Sequence, residues 1–217
     1  MMLDVKTIQT LKAFSMINPS LQFKPGNVIR TISPAKTILA KATVPTTFDR
    51  EFAIYDLMRF LGAYTMFESA ELDFGERSVK IGSGKEKINY LYADPAVIVV
   101  APDKELVADN PVVQFELTAD ALQRTLKALS MIGAPEVSVT GEGGVVYLEA
   151  SDSKNSSSSS YRVEVGETDK TFRLIMSADK LKLLTCDYNV TITDRFAHLK
   201  GEDVEYWIVL DAHSTVG

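Results

Sequence analysis

Two heptapeptides a constant 115 positions apart set the frame for this chain. Leu11-Lys12-Ala13-Phe14-Ser15-Met16-Ile17 and Leu126-Lys127-Ala128-Leu129-Ser130-Met131-Ile132 agree at six of seven positions. The order of elements expected around them repeats as well, and that offset is about the size of one domain. The 217 residues therefore read as two similar domains, 1–93 and 111–217, joined by a connector over 94–110. The competing explanation is chance agreement between two helices of favourable composition.

Apolar spacing, with an acidic or hydroxyl residue at the start, predicts four helices: Val5–Ile17, Tyr55–Thr65, Ala119–Ile132 and Ala178–Leu184. Segments rich in Val, Ile, Phe and Tyr lie between them and predict antiparallel strands. In the second half these are Val112–Leu117, Tyr161–Val165, Phe172–Met176, Asn189–Thr193 and Val204–Leu210. The clearest hairpin joins Val137–Thr140 to Val145–Ala150 through Gly141-Glu142-Gly143-Gly144, which places glycines where positive φ is needed. The stretch from Ala93 to Pro111, which contains the connector, carries three prolines around the extended Val97-Ile98-Val99-Val100. Ser151–Ser160 is low-complexity and reads as a solvated hairpin loop, with phosphorylation as a second use for its serines.

Composition bounds the class. Apolar residues make up 46% and charged residues 24%, a globular balance that argues against wholesale disorder. The longest apolar run, Ala96 to Ala101, is far below the roughly 18 residues a membrane-spanning helix needs. The start, MMLDVKTIQT, lacks the basic and apolar segments of an export signal. A lone Cys186 allows no internal disulfide and fits a reducing compartment.

The net charge is −6, a poor beginning for a nucleic-acid binder, but the charge is unevenly distributed. The four helix windows hold Lys6, Lys12, Arg59, Arg124, Lys127, Lys180 and Lys182 against only Asp56, Asp120 and Asp179. They sum to +4, so the remainder sums to −10. At 100° per residue, Leu122, Leu126 and Leu129 fall within about 60° of one another, with Arg124 and Lys127 on the opposite side. One such helix is an ordinary amphipathic surface helix. Four that are short of acids beyond their first turns point to a shared anionic partner, and duplex DNA offers regular phosphates that need no sequence readout.

Catalytic patterns are missing. There is no G-x-S-x-G, and His198 and His213 have no Cys or acidic partner at metal-ligand spacing. Gly82-Ser83-Gly84-Lys85 lacks the first glycine of a phosphate loop and has Glu86 in place of its Ser or Thr. It reads as a hairpin turn between Val79–Ile81 and Ile88–Tyr92. Scattered carboxylates keep a hydrolase open as a rival, and a structural or virion interaction module is the other.

Three stretches resemble one family. Phe52-Ala53-Ile54-Tyr55-Asp56-Leu57 with Phe60-Leu61-Gly62 is similar to the second helix of the sliding clamps of T-even-type bacteriophages. Ala93-Asp94-Pro95 with Val100-Ala101-Pro102-Asp103-Lys104 resembles their interdomain connector. Tyr206 to Leu210 with Ala212-His213-Ser214-Thr215 resembles their last strand and tail. The resemblance implies an α+β DNA-clamp fold, with two similar domains per chain, each carrying two helices packed on antiparallel sheets. It implies a homotrimeric ring around duplex DNA, with helices lining the hole. Such a ring tethers the replicative DNA polymerase and is opened by a clamp loader ATPase. It also serves late transcription through a sigma-like factor, in the cytoplasm of the infected bacterial host, with neither catalysis nor cofactor. Carried over, Lys6, Lys12, Arg59, Arg124, Lys127, Lys180 and Lys182 face DNA. An apolar patch of Val97, Ile98, Val99, Pro102, Leu106 and Val107, facing Tyr206 and Ile208, receives partner peptides.

Overall fold

The computed structural model describes every residue except Ser156. The chain divides into two compact units, Met1–Lys104 and Glu105–Gly217. The Ser-rich loop therefore lies only partly within the described residues.

The first unit opens with helix α1 (Val5–Ser15), followed by β1 (Leu21–Phe23), β2 (Gly26–Ile32), β3 (Ile38–Phe48) and β4 (Phe52–Ile54). Helix α2 (Leu57–Thr65) leads into β5 (Glu71–Phe74), β6 (Ser78–Ser83) and β7 (Glu86–Leu91). β1 pairs with β4, β2 with β3, and β6 with both β5 and β7, all antiparallel. Asp4 caps α1 by accepting from the Lys6 amide at 2.7 Å, satisfying one of the donors a helix start leaves open. Leu11 and Phe14 are fully buried, whereas Lys12 and Met16 are exposed. The Thr7 hydroxyl donates to Thr46 Oγ1 at 2.9 Å and so ties α1 to β3. Beneath lies an aromatic cluster in which Phe52 stacks on Phe23 with centroids 4.4 Å apart, and Phe48, Phe74 and Tyr92 surround it. Each such pair adds about 1 kcal/mol beyond its buried area.

The second unit runs β8 (Val113–Leu117), α3 (Ala119–Ile132), β9 (Glu136–Glu142), β10 (Val145–Ser151), β11 (Tyr161–Glu167) and β12 (Phe172–Ser177). It continues with β13 (Tyr188–Ile192), β14 (Phe196–Lys200), β15 (Val204–Val209) and the two-residue β16 (Thr215–Val216). One antiparallel sheet has the order β11-β10-β9-β12-β16, and β8, β13, β14 and β15 form successive antiparallel pairs. The β9–β10 turn is Gly143-Gly144, both with positive φ, the turn that matches the twist of two paired strands. Thr118 caps α3 by accepting from the Ala121 amide, and Gly133 ends it in the left-handed conformation.

The fourth predicted helix is absent. Ala178–Leu184 holds only a 3-10 turn over Ala178–Lys180, so the second unit carries one α-helix among the described residues. Seven residues are too few to repay helix nucleation unaided, and tertiary bonds take the backbone instead. The Leu184 amide donates to the Tyr206 hydroxyl at 3.1 Å, and the Tyr188 hydroxyl donates to the Leu184 carbonyl. The two tyrosine rings meet edge to face in the core, 6.1 Å apart.

Burial pushes the Tyr206 hydroxyl up to about 12 and raises that of Tyr188 further still. The folded chain therefore keeps both protons in a range where the unfolded chain, with ordinary tyrosines near 10, releases them. Stability is fully present below about pH 10 and falls as pH rises toward 12 and beyond. Thermal midpoints measured from pH 8 to 12 are expected to decline over the upper part of that range, and Tyr206→Phe should flatten the decline.

Candidate nucleic-acid interface and partner surface

Burying the apolar stripe of each helix leaves the opposite stripe to solvent, and the cations lie there. Lys6 and Lys12 on α1, Arg59 on α2, and Arg124 and Lys127 on α3 are all exposed. The three helices hold these five cations against a single acid, Asp120. On α3, Leu122 and Thr125 are buried and Leu126 and Leu129 half-buried, as the 100° spacing requires.

The two arginines are not bare. Arg59 Nε lies 3.1 Å from Asp56 Oδ2, while Asp56 Oδ1 caps α2 by accepting from the Arg59 amide at 2.9 Å. Arg124 Nε donates to Asp120 Oδ1 at 3.0 Å, one turn away. Lys12 and Lys127, which correspond at the 115-residue offset, have no ion pair among the described residues.

Lys180 requires correction, and the helix expected to display it together with Lys182 does not form. The Lys180 side chain is turned inward and buried, with Nζ donating to Asp211 Oδ1 at 2.7 Å and to the Val209 carbonyl at 2.9 Å. Lys182 is half-buried in the irregular segment beyond the turn. Lys180 thus fastens the segment after β15 rather than facing a partner.

The apolar patch divides in two. Val97, Val99, Pro102, Leu106 and Val107 are exposed and Ile98 is half-buried. Tyr206 and Ile208 are fully buried in the core of the second unit, so their place in a docking surface is also corrected. β15 is buried continuously over Tyr206-Trp207-Ile208, which is how a strand covered on both faces reads.

Sequence reasoning missed what holds the connector. In the first unit Asn18 Nδ2 donates to the Val99 carbonyl at 3.0 Å and to the Ile32 carbonyl at 2.9 Å. Lys24 Nζ donates to Asp103 at 2.7 Å, which holds that carboxyl below its usual range. Beside this pair lies a cavity of about 270 Å³ lined by Gln22, Val28, Arg30 and Val100. In the second unit Trp207 Nε1 donates to the Leu106 carbonyl at 3.0 Å, and the indole stacks on His198 at 4.6 Å. The single tryptophan of the chain was the available signal, since a buried indole N–H needs an acceptor.

Antiparallel sheets carrying helices whose exposed faces are cationic, twice in one acidic chain, define the class of the DNA sliding clamps. Residues 4–100 match the family described as DNA polymerase processivity factor, and residues 114–212 match the family described as gp45 sliding clamp, C terminal. The sliding clamp of Vibrio phage KVP40 is 33% identical over 98% of this chain and 100% of its own length, and that of Enterobacteria phage T4 is 27% identical over 99% of both. Among solved structures, the PCNA of Thermococcus kodakaraensis superposes with a TM-score of 0.67 at 17% identity, covering 94% of this chain and 95% of that one. A structure titled C-terminal region of FEN-1 bound to A. fulgidus PCNA gives 0.69 at 16%, covering 96% of each. The chain belongs to the sliding-clamp family of the T4-like bacteriophages, the DNA polymerase processivity factors.

The corrected role of Lys180 is testable. Lys180→Ala leaves Asp211 and the Val209 carbonyl without their donor and is expected to lower stability by about 2 kcal/mol. Denaturant titration reads that loss, and DNA retention by the protein that remains folded should not change.

Proposed function

We propose that three copies of this chain join head to tail into a ring that encircles duplex DNA and tethers the replicative polymerase to it. The observation that carries this reading is the segregation of charge: a chain at −6 keeps its helical cations on exposed faces. Phosphate contacts through Lys6, Lys12, Arg59, Arg124 and Lys127 are individually weak and blind to sequence. Topological linkage then replaces tight binding, and an acidic exterior limits unproductive adhesion to other DNA. Free ladder edges support the assembly. Among the described residues, β7 in the first unit pairs only with β6, and β11 in the second pairs only with β10. Exposed edges of this kind are templates for pairing with another chain, and a head-to-tail contact closes when its rotation divides the circle.

The exposed apolar side chains of the connector fit a docking peptide. On this reading the polymerase, the clamp loader ATPase and a sigma-like late-transcription factor all use them, in the host cytoplasm. The chain acts as a tether rather than as a catalyst.

The decisive measurement is retention on circular duplex before and after one restriction cut, with clamp loader and ATP present. Retention should be long on the circle and lost once an end is available, and Arg124→Ala with Lys127→Ala should shorten it without unfolding the protein. The mass of the active species should be three times 23.9 kDa. Equal retention on circle and cut DNA would mean ordinary electrostatic adhesion and would end the ring reading.

Polar replacement of Val107, or of Leu106, should abolish polymerase stimulation while sparing assembly. Both side chains are exposed, so the folded state should shift by no more than about 0.5 kcal/mol.

A further inference from the structure

The two arginines on the exposed helix faces share an arrangement that Lys12 and Lys127 do not. In each unit, one arginine has its Nε edge occupied by a carboxylate from the first turn or the cap of its own helix: Asp56 for Arg59 at 3.1 Å and Asp120 for Arg124 at 3.0 Å. The spacings differ, three residues in one case and four in the other, so the two pairs are not copies of one local motif. Lys12 and Lys127 carry no such partner among the described residues.

Arginine and lysine present different hazards to a protein that must move along DNA. A lysine ammonium is a point charge that passes from one phosphate to the next without a preferred geometry. A guanidinium grips phosphate through two parallel N–H bonds and fixes both partners. One of the forks that can do so includes Nε, the atom Asp56 and Asp120 engage. We propose that Asp56 and Asp120 are positioning residues that act as internal competitors of phosphate, keeping Arg59 and Arg124 from pinning DNA. The inference rests on the reading of these helices as DNA-facing.

Each pair is exposed, with side-chain accessibilities of 84% and 35% for Arg59 and Asp56 and of 69% and 68% for Arg124 and Asp120. Exposed pairs of this kind are weak and exchange readily. A phosphate can therefore displace the carboxylate, and the carboxylate can recapture the guanidinium as the phosphate leaves. The arginine contributes charge to the channel without a long residence at any one site.

The test is an acid-to-amide exchange. Asp56→Asn keeps the Oδ1 acceptor that caps α2, and α3 is capped by Thr118 rather than by Asp120, so Asp56→Asn with Asp120→Asn should fold normally, as a thermal melt will verify. Anisotropy of a labelled linear duplex, titrated with the assembled protein across a salt series, should show the double variant binding at least about threefold tighter at low salt, with a steeper dependence on salt. A control carrying Glu76→Gln and Asp169→Asn, both exposed and outside the helices, makes the same change in net charge and should gain less. Adding Arg59→Ala and Arg124→Ala should erase the gain. An unchanged affinity, an equal gain in the control, or a gain that survives loss of the arginines would each overturn the inference. Failure of the wild-type protein to distinguish circle from cut DNA would instead remove the reading beneath it.

Discussion

Amphipathic packing is the constraint on which the rest depends: each helix has one apolar stripe and must bury it, so its opposite stripe is committed to solvent. In α1 that places Leu11 and Phe14 at zero accessibility and sends Lys12 outward. In α3 it buries Leu122 and exposes Arg124 and Lys127. Geometry of 3.6 residues per turn thereby converts a pattern of apolar residues into a pattern of charge. The chain as a whole stays acidic, and the cations are gathered by fold rather than by number. Replacing a buried leucine of such a helix would disturb the cationic face as surely as replacing a lysine, because the packing aims both.

That same periodicity explains what could be read in advance. The helices at α1, α2 and α3 follow from local apolar spacing, and the β9–β10 hairpin follows from two glycines that take up positive φ. These are signals carried within one turn of chain. The segment Ala178–Leu184 fails because its outcome is decided elsewhere. Tyr206 on β15 and Tyr188 at the start of β13 take the Leu184 backbone, and Asp211 takes Lys180. Seven residues of helical spacing lose to three tertiary hydrogen bonds and one local one, since a short helix has little propagation energy to set against them.

The apolar patch expected to receive partner peptides shows a second limit of local reading. The family resemblance places Tyr206 and Ile208 in an open patch facing the connector, yet burial runs through Tyr206, Trp207 and Ile208 without a break. An uninterrupted apolar run in a strand is the mark of cover on both faces, and the run here was long enough to say so. Asn18 was invisible for another reason. A polar residue just beyond a helix end is ordinarily solvated, and only the fold shows it buried and bound to two carbonyls.

Those carbonyl bonds account for how an apolar connector can remain available. A chain segment rich in Val, Ile and Leu would normally be drawn into a core by its side chains. Here each half is held by its backbone instead, at the Val99 carbonyl by Asn18 in the first unit and at the Leu106 carbonyl by Trp207 in the second. Lys24 adds a polar tie at Asp103. Fixing the main chain through side chains that belong to the folded units reduces the ordering cost a bound peptide would otherwise meet. It also leaves the connector's own side chains outward. The exposure of Val97, Val99, Leu106 and Val107 is thus a consequence of where the hydrogen bonds fall, and it is this exposure on which the proposed docking of partner peptides rests.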